Sequence, residues 1–286
     1  YADYVIMDSA NIFDEKQREY KIDIKGFYKK ISNKNPGIHC ITNIVSANDC
    51  ANILLAAGAS PIMAQHLLEA AEISRGCDAL VCNFGATSAY EAMNAAALEA
   101  SALNHPIVAD PVGVGASQYR RRSFLEFINR FKISCIRGNI SEIRALHENR
   151  TTARGVDVSE AEIKAGDVAS LIKNAAWIKA FAAETKSIVI CSGATDIVTD
   201  GKMVFFTDYG CSLMSKVSAT GCMASVITAA FLSVKNSLQS ALAATAFMGM
   251  CGEYALKQLK NSGIKAIGSG SFRVGLIDAA GLIFNE

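Results

Sequence analysis

The sequence predicts an α/β protein: a three-layer α/β/α sandwich with a mostly parallel central sheet and antiparallel edge strands. Three observations carry this. From residue 36 on, short Val- and Ile-rich runs alternate with longer stretches of helical periodicity, the pattern of βα units. In "IVTDGKMVFFTD", Asp200-Gly201 separates two β-type runs as a hairpin turn does. No Pro-rich linker, internal repeat or low-complexity run divides the chain. Residues 36–286 therefore read as a single domain, and residues 1–35 as an N-terminal extension with little assignable structure.

In chain order, Asp14–Tyr20 and a segment opening at Phe27–Ile31 are helix candidates in the extension. Strands are expected at Ile38–Ile41, Ser60–Met63, Ala79–Asn83, Ile107–Asp110, Ile133–Arg137 and Ser187–Cys191, where β-branched residues cluster between turn residues. The helices between them are Ala47–Ala57, Leu67–Arg75, Ser88–Ala100, Ser117–Arg130, Ser141–His147 and Ser159–Thr185. Three more close the chain: Cys222–Val234, Leu238–Lys260 and Phe272–Phe284. The 18 residues Val217–Val234 carry no charge, but five hydroxyl side chains and a glycine-bearing turn mark a buried core helix rather than a membrane span.

Composition narrows the partners. The 286 residues are 51% hydrophobic, enough for a sizeable core. A net charge of +1 gives no electrostatic footprint for nucleic acid or an anionic membrane, so small molecules are the expected partners. Nine cysteines without any C-x-x-C read as reduced, mostly buried thiols of a cytoplasmic protein. The four histidines show no zinc spacing. The acidic N-terminus lacks the basic region of a signal peptide, and its start at Tyr1 reads as a chain that is either trimmed or carries added residues.

In an open α/β sheet the ligand lies beyond the carboxyl ends of the strands, so the residues there are the ones to inspect. Asp110, opening "DPVGVGAS", reads either as a turn or cap residue or as a carboxylate for a metal or phosphate. Arg137 has the fork that suits phosphate oxygens. Asn139 and Glu142 form either a plain capping box or a functional pair on one helix face. Ser192-Gly193 is either a simple turn or a contact for nucleotide phosphate or ribose. "SATGC" (218–222) opens a helix, and its N–H groups and dipole make an anion site. Cys222 there is either small-residue packing or a thiol whose pKa the helix start lowers. Together these residues suit phosphoryl transfer. The chain contains no P-loop, no G-x-S-x-G, and no G-x-G-x-x-G after a first strand. Walker-type NTPases, α/β-hydrolases and Rossmann dehydrogenases are therefore disfavoured.

The order of motifs resembles the hydroxyethylthiazole kinase family of the ribokinase-like superfamily. The matching blocks are "HCITNIVSANDCANILLAAGASPIM" (39–63), "DPVGVGAS" (110–117), "IRGNISEI" (136–143), "GVD" (155–157), "SGATDIV" (192–198), "SATGCMAS" (218–225) and "GSGSFRVGLID" (268–278). The resemblance implies ATP-dependent phosphorylation of 4-methyl-5-(2-hydroxyethyl)thiazole in thiamine biosynthesis or salvage. It also implies Mg²⁺ and a homotrimer with active sites at subunit interfaces. By the same resemblance, Met63, Asn43 and Ala219 border the substrate. Arg137, Ser192 and Asn139 contact ATP, Asp110 and Glu142 are the Mg²⁺-side carboxylates, and Cys222 is the catalytic group. The family often has Gly where this chain has Ala219, so either the turn is reshaped or the backbone at Ala219 is ordinary. The family's late glycine motif often has Pro where this chain has Ser269. Alternative readings are a kinase for another vitamin-precursor alcohol such as hydroxymethylpyrimidine, and a non-catalytic thiazole-binding protein. An ADP-dependent dehydratase has only the superfamily shape in its favour.

Overall fold

The structure, a computed structural model, describes residues 4–8, 18–151, 168–263 and 266–285. Its strands are β1 (Tyr4–Asp8), β2 (Arg18–Ile22), β3 (Gly37–Ile41), β4 (Ser60–Ile62), β5 (Ala79–Asn83), β6 (Ile107–Asp110), β7 (Cys135–Asn139), β8 (Ile188–Ser192), β9 (Asp196–Thr199) and β10 (Val204–Thr207). Its helices are α1 (Ile24–Lys34), α2 (Ala47–Ala56), α3 (Leu67–Arg75), α4 (Tyr90–Ala102), α5 (Gln118–Arg130), α6 (Ile140–Thr151), α7 (Val168–Thr185), α8 (Thr220–Val234), α9 (Leu238–Asn261) and α10 (Ser269–Leu282). Among the described residues the strands form one sheet in the order β2-β1-β10-β9-β8-β7-β6-β5-β3-β4. From β4 to β8 the pairings are parallel. Strands β9, β10, β1 and β2 continue the sheet antiparallel on one side. This is the expected sandwich.

Both faces of the sheet are covered, so the parallel strands β3 and β5–β8 are largely buried on both sides and their side chains sort by parity. Ala79 and Val81 pack with α1, α2 and α8–α10, whereas Leu80 and Cys82 pack with α3–α7. Val108 in β6, Cys135 in β7 and Ile190 in β8 join the first layer; Ala109, Ile136 and Val189 join the second. The same parity turns Asn83, Asp110, Arg137 and Ser192, at or near the strand ends, toward the layer that contains α8.

Helix α8 is the uncharged stretch seen in the sequence, and it is a core helix. Met223, Ile227 and Phe231 are fully buried against α1, α2 and α9. Among the described residues no helix is long and apolar enough to cross a membrane. All nine cysteines are free, eight of them buried and Cys211 half-buried.

Several boundaries differ from expectation, among them α10, which spans Ser269–Leu282 rather than Phe272–Phe284. Arg18–Tyr20 lie in β2, not in a helix, because their backbone pairs with β1 (Tyr4↔Ile22 through Asp8↔Arg18); residues 14–17 lie outside the described residues. Helix α1 begins at Ile24, where the Asp23 carboxylate caps the Gly26 N–H at 2.8 Å. It buries Ile24, Tyr28 and Ile31 in the core shared with α8 and α9. Strand β7 is shifted two residues later than expected, because it pairs with β8 from Cys135↔Ile188 to Asn139↔Ser192. Arg137 is therefore inside the strand and Asn139 is its last residue. Helix α4 opens at Tyr90, after a 3₁₀ turn over Thr87–Ala89. The "GVD" block (155–157) and residues 159–167 of the expected long helix lie outside the described residues.

Candidate active site

Parallel neighbours β5 and β6 end in register, with Asn83 opposite Asp110. Helix α8 crosses this end of the sheet and brings Cys222 and Ser225 to the same place. The Asp110 carboxylate accepts from Ser225 Oγ (2.8 Å) and Asn83 Nδ2 (3.1 Å), both on Oδ2. It caps no helix. It is almost wholly buried, and burial pushes its pKa up to about 7. The Arg137 charge and the two hydrogen bonds pull the other way, and the Glu142 charge adds to the rise.

The sulfur of Cys222 accepts from Asn83 Nδ2 (3.1 Å) and Asn43 Nδ2 (3.6 Å). The expected lowering of this thiol's pKa is not found. Burial raises it and the Asp110 charge raises it further; donors from Ser46, Asn83 and Asn43 offset this only in part. At 9% exposure, desolvation of a thiolate outweighs the attraction of the helix start.

Ala219 caps α8 with φ +69° and ψ −2°, the left-handed region. Its backbone is thus not ordinary, and the Cβ that replaces a glycine hydrogen sits in a strained turn. Two residues on, a Cβ at Gly221 would come within 2.7 Å of Arg137 Nη1. The guanidinium therefore lies directly over the first turn of α8. Its Nε is buried and has no hydrogen-bond partner among the described residues. A buried orphan donor beside free helix N–H groups is an arrangement ready for an anion.

Asn139 and Glu142 make the reciprocal capping box. Glu142 N–H donates to Asn139 Oδ1 (3.0 Å), and Asn139 N–H donates to Glu142 Oε2 (3.0 Å). Glu142 Oε1 also accepts from Gly113 N–H (3.2 Å), tying α6 to the loop after Asp110. Ser192 Oγ donates to Gly138 O (3.3 Å), and Gly193 N–H donates to Asp196 Oδ1 (2.9 Å). Burial pushes the pKa of Asp196 up to about 6.

These side chains surround one cavity of about 830 Å³. Asp110, Arg137, Asn139, Glu142, Ser192, Ala219 and Cys222 all line it. Asn43 does not, but it reaches the Cys222 sulfur from the β3 side. Met63 does not either; it is half-buried and packs against the core that contains α8. Asn83 belongs to no motif the sequence singles out, although its place at the end of "ALVCN" with the parity of Ala79 and Val81 points to this layer. Among the described residues no three His, Cys, Asp or Glu side chains cluster as a metal cage. The donor set is instead two carboxylates, Asp110 and Glu142, one with a raised pKa. That fits Mg²⁺, which takes one or two carboxylates and completes its shell with water and substrate phosphates.

Fold and cavity together define a ribokinase-like α/β/α protein with a polar cavity, the candidate active site, at the carboxyl ends of its parallel strands. A ribokinase-like superfamily protein from Enterococcus faecalis shares this fold at a TM-score of 0.59 and 10% identity, covering 87% of this chain and 88% of its own. The chain belongs to the hydroxyethylthiazole kinase family, whose model matches residues 28–286. A hydroxyethylthiazole kinase from Methanobrevibacter smithii is 40% identical over 257 residues, 87% of this chain and 88% of that protein. The Clostridium beijerinckii enzyme of the same name is 39% identical over 269 residues, 91% and 92% of the two chains. The solved hydroxyethylthiazole kinase of Pyrococcus horikoshii superimposes with a TM-score of 0.77 at 33% identity, covering 90% of this chain and 92% of its own.

Proposed function

We propose that this protein transfers a phosphoryl group from ATP to the hydroxyl of 4-methyl-5-(2-hydroxyethyl)thiazole, a step of thiamine biosynthesis or salvage. One observation carries the reading: the Cys222 thiol and the Asp110 carboxyl meet at a single amide, beside the open N–H groups that start α8. Phosphoryl transfer passes through a loose transition state, so catalysis is mostly positioning and charge neutralisation. The N–H groups from Ala219 to Cys222 face the moving group, and Arg137 holds the nucleotide phosphates. Ser192 and Asn139 border the nucleotide. Cys222 faces the alcohol, and the fraction of it present as thiolate takes the alcohol's proton as the new bond forms. Asn43, Met63 and Ala219 border the thiazole. Asp110 and Glu142 would hold Mg²⁺, Glu142 through water since its oxygens already accept two N–H groups. The bound cation would neutralise charge on the phosphate oxygens.

The reading extends to assembly as a homotrimer. Ile44 and Val45, next to Asn43, are 89% and 71% exposed, which suits a face covered by another subunit of a homotrimer. Light scattering at assay concentration tests the trimer. Nine free cysteines suit a reducing cytoplasm.

An ATP-consumption assay with two alcohols tests the activity. Turnover is expected with the thiazole alcohol, with loss on adding EDTA. Turnover with hydroxymethylpyrimidine instead, or thiazole binding without ATP turnover, overturns the reading.

A further inference from the structure

We infer that Asn83 is a positioning residue for this reaction: one carboxamide, locked from behind, holds the Cys222 sulfur and the Asp110 carboxylate in fixed relation and keeps protons from passing between them. The inference rests on the roles proposed above for Cys222 and Asp110. Asn83 is 1% exposed, the last residue of β5, in register with Asp110. Its Oδ1 accepts from Gly85 N–H (2.9 Å) and Asn43 Nδ2 (3.3 Å). A backbone N–H can only donate, so the atom facing Gly85 must be the oxygen and the amide cannot flip. A Cβ on Gly85 would approach Asn83 Oδ1 to 2.8 Å, so glycine is what lets the turn close over the amide.

With Oδ1 fixed, Nδ2 must face the other way. There its two hydrogens meet two acceptors, Asp110 Oδ2 (3.1 Å) and Cys222 Sγ (3.1 Å). The donor capacity of the amide is filled. A carboxyl or imidazole in this place would relay a proton between thiol and carboxylate. A carboxamide does not ionise near neutral pH, so it links the two groups mechanically and separates them chemically. The sulfur is thereby presented as an acceptor, and the neighbouring amide of Asn43 donates to it as well at 3.6 Å.

The test compares Asn83→Ala, Cys222→Ala and the double variant in the full chain. Asn83→Ala is expected to lower kcat by ~10–100-fold through misplacement of the sulfur, with KM for ATP changed by less than about threefold. In the Cys222→Ala background the same change should cost clearly less than in the wild type, because only the hold on Asp110 is then left to lose and residues acting as one unit are not additive. Multiplying losses, or an unchanged kcat in Asn83→Ala, would show a merely structural role and overturn the inference. A second readout uses neither nucleotide nor metal: iodoacetamide labelling of Cys222, followed by peptide mass spectrometry. Freeing the sulfur should change the labelling rate by at least about fivefold, and an equal rate overturns the inference. Should Asn83→Ala not fold, the isosteric Asn83→Asp removes a donor and sets a second acid against Asp110; it should lose kcat likewise, and wild-type kcat would sink the idea. Failure of the underlying mechanism shows elsewhere, as undiminished kcat in Cys222→Ala alone, and that result removes both.

Discussion

Ala219 is a residue held in the left-handed region at some cost. An L-residue at φ +69° pays the left-handed penalty, about 1–2 kcal/mol. Glycine returns most of that, less the entropy it adds to the unfolded chain. Ala219→Gly should therefore raise stability by about 0.5–1 kcal/mol, read as a Tm increase of roughly 1–4 °C. A lower Tm would mean that the turn is not left-handed in solution. Cys222 makes the sharper claim at this scale. As proton acceptor, its replacement in Cys222→Ala should lower kcat by about 10²–10⁴; a packing role would leave kcat nearly intact. His39 gives a pH test independent of the site. It is fully buried, its Nε2 bonds Ala64 O at 2.8 Å, and its Nδ1 has no partner among the described residues. Burial lowers its pKa, so the unfolded chain binds its proton more readily than the folded one. The stability this group contributes is complete above the unfolded value near 6.5 and is lost as pH falls below it. The Tm gap between wild type and His39→Gln should shrink from pH 8 to pH 5.

At the scale of elements, the strand ends were legible because a buried parallel sheet repeats every two residues. "ALVCN", "IVAD" and "IVICS" each sort by parity, and that parity turns Asn83, Asp110 and Ser192 toward α8. The apolar run that begins at Ile133 points to a strand two residues earlier than β7, whose limits come from pairing with β8. Strand β2 was unreadable for the same reason: its partner, β1, supplies the pattern only through the sheet. Neither the left-handed turn at Ala219 nor the placing of Arg137 over α8 is written in local sequence. The latter is open to test. In Gly221→Ala the new Cβ would stand 2.7 Å from Arg137 Nη1 and push the guanidinium off the helix start. The KM for ATP should rise about tenfold or more, while circular dichroism stays that of the wild type. An unchanged KM would take Arg137 away from the phosphates.

At the scale of the whole molecule, the cavity is built from segments far apart in the chain, joined only when the sheet and α8 come together. Asp110 and Ser225 are 115 residues apart, and Asn83 and Cys222 are 139 apart. Few of its bonds can form in the unfolded chain, so a ligand that fills the cavity binds the folded state alone and stabilises it. At a concentration 100 times Kd, such a ligand adds about 2.7 kcal/mol, roughly 5–11 °C in Tm for a domain of this size. ATP with Mg²⁺ should give a shift of that order. The raised pKa of Asp110 makes the metal's share visible, because without a cation the carboxyl stays partly protonated near neutral pH. EDTA should therefore remove most of the shift at pH 7.5. Asp110→Asn, which keeps the shape and loses the charge, should remove the same part even with Mg²⁺ present. A full shift from ATP in EDTA, or in Asp110→Asn with Mg²⁺, would show that the nucleotide binds without this carboxylate, and Asp110 would leave the metal site.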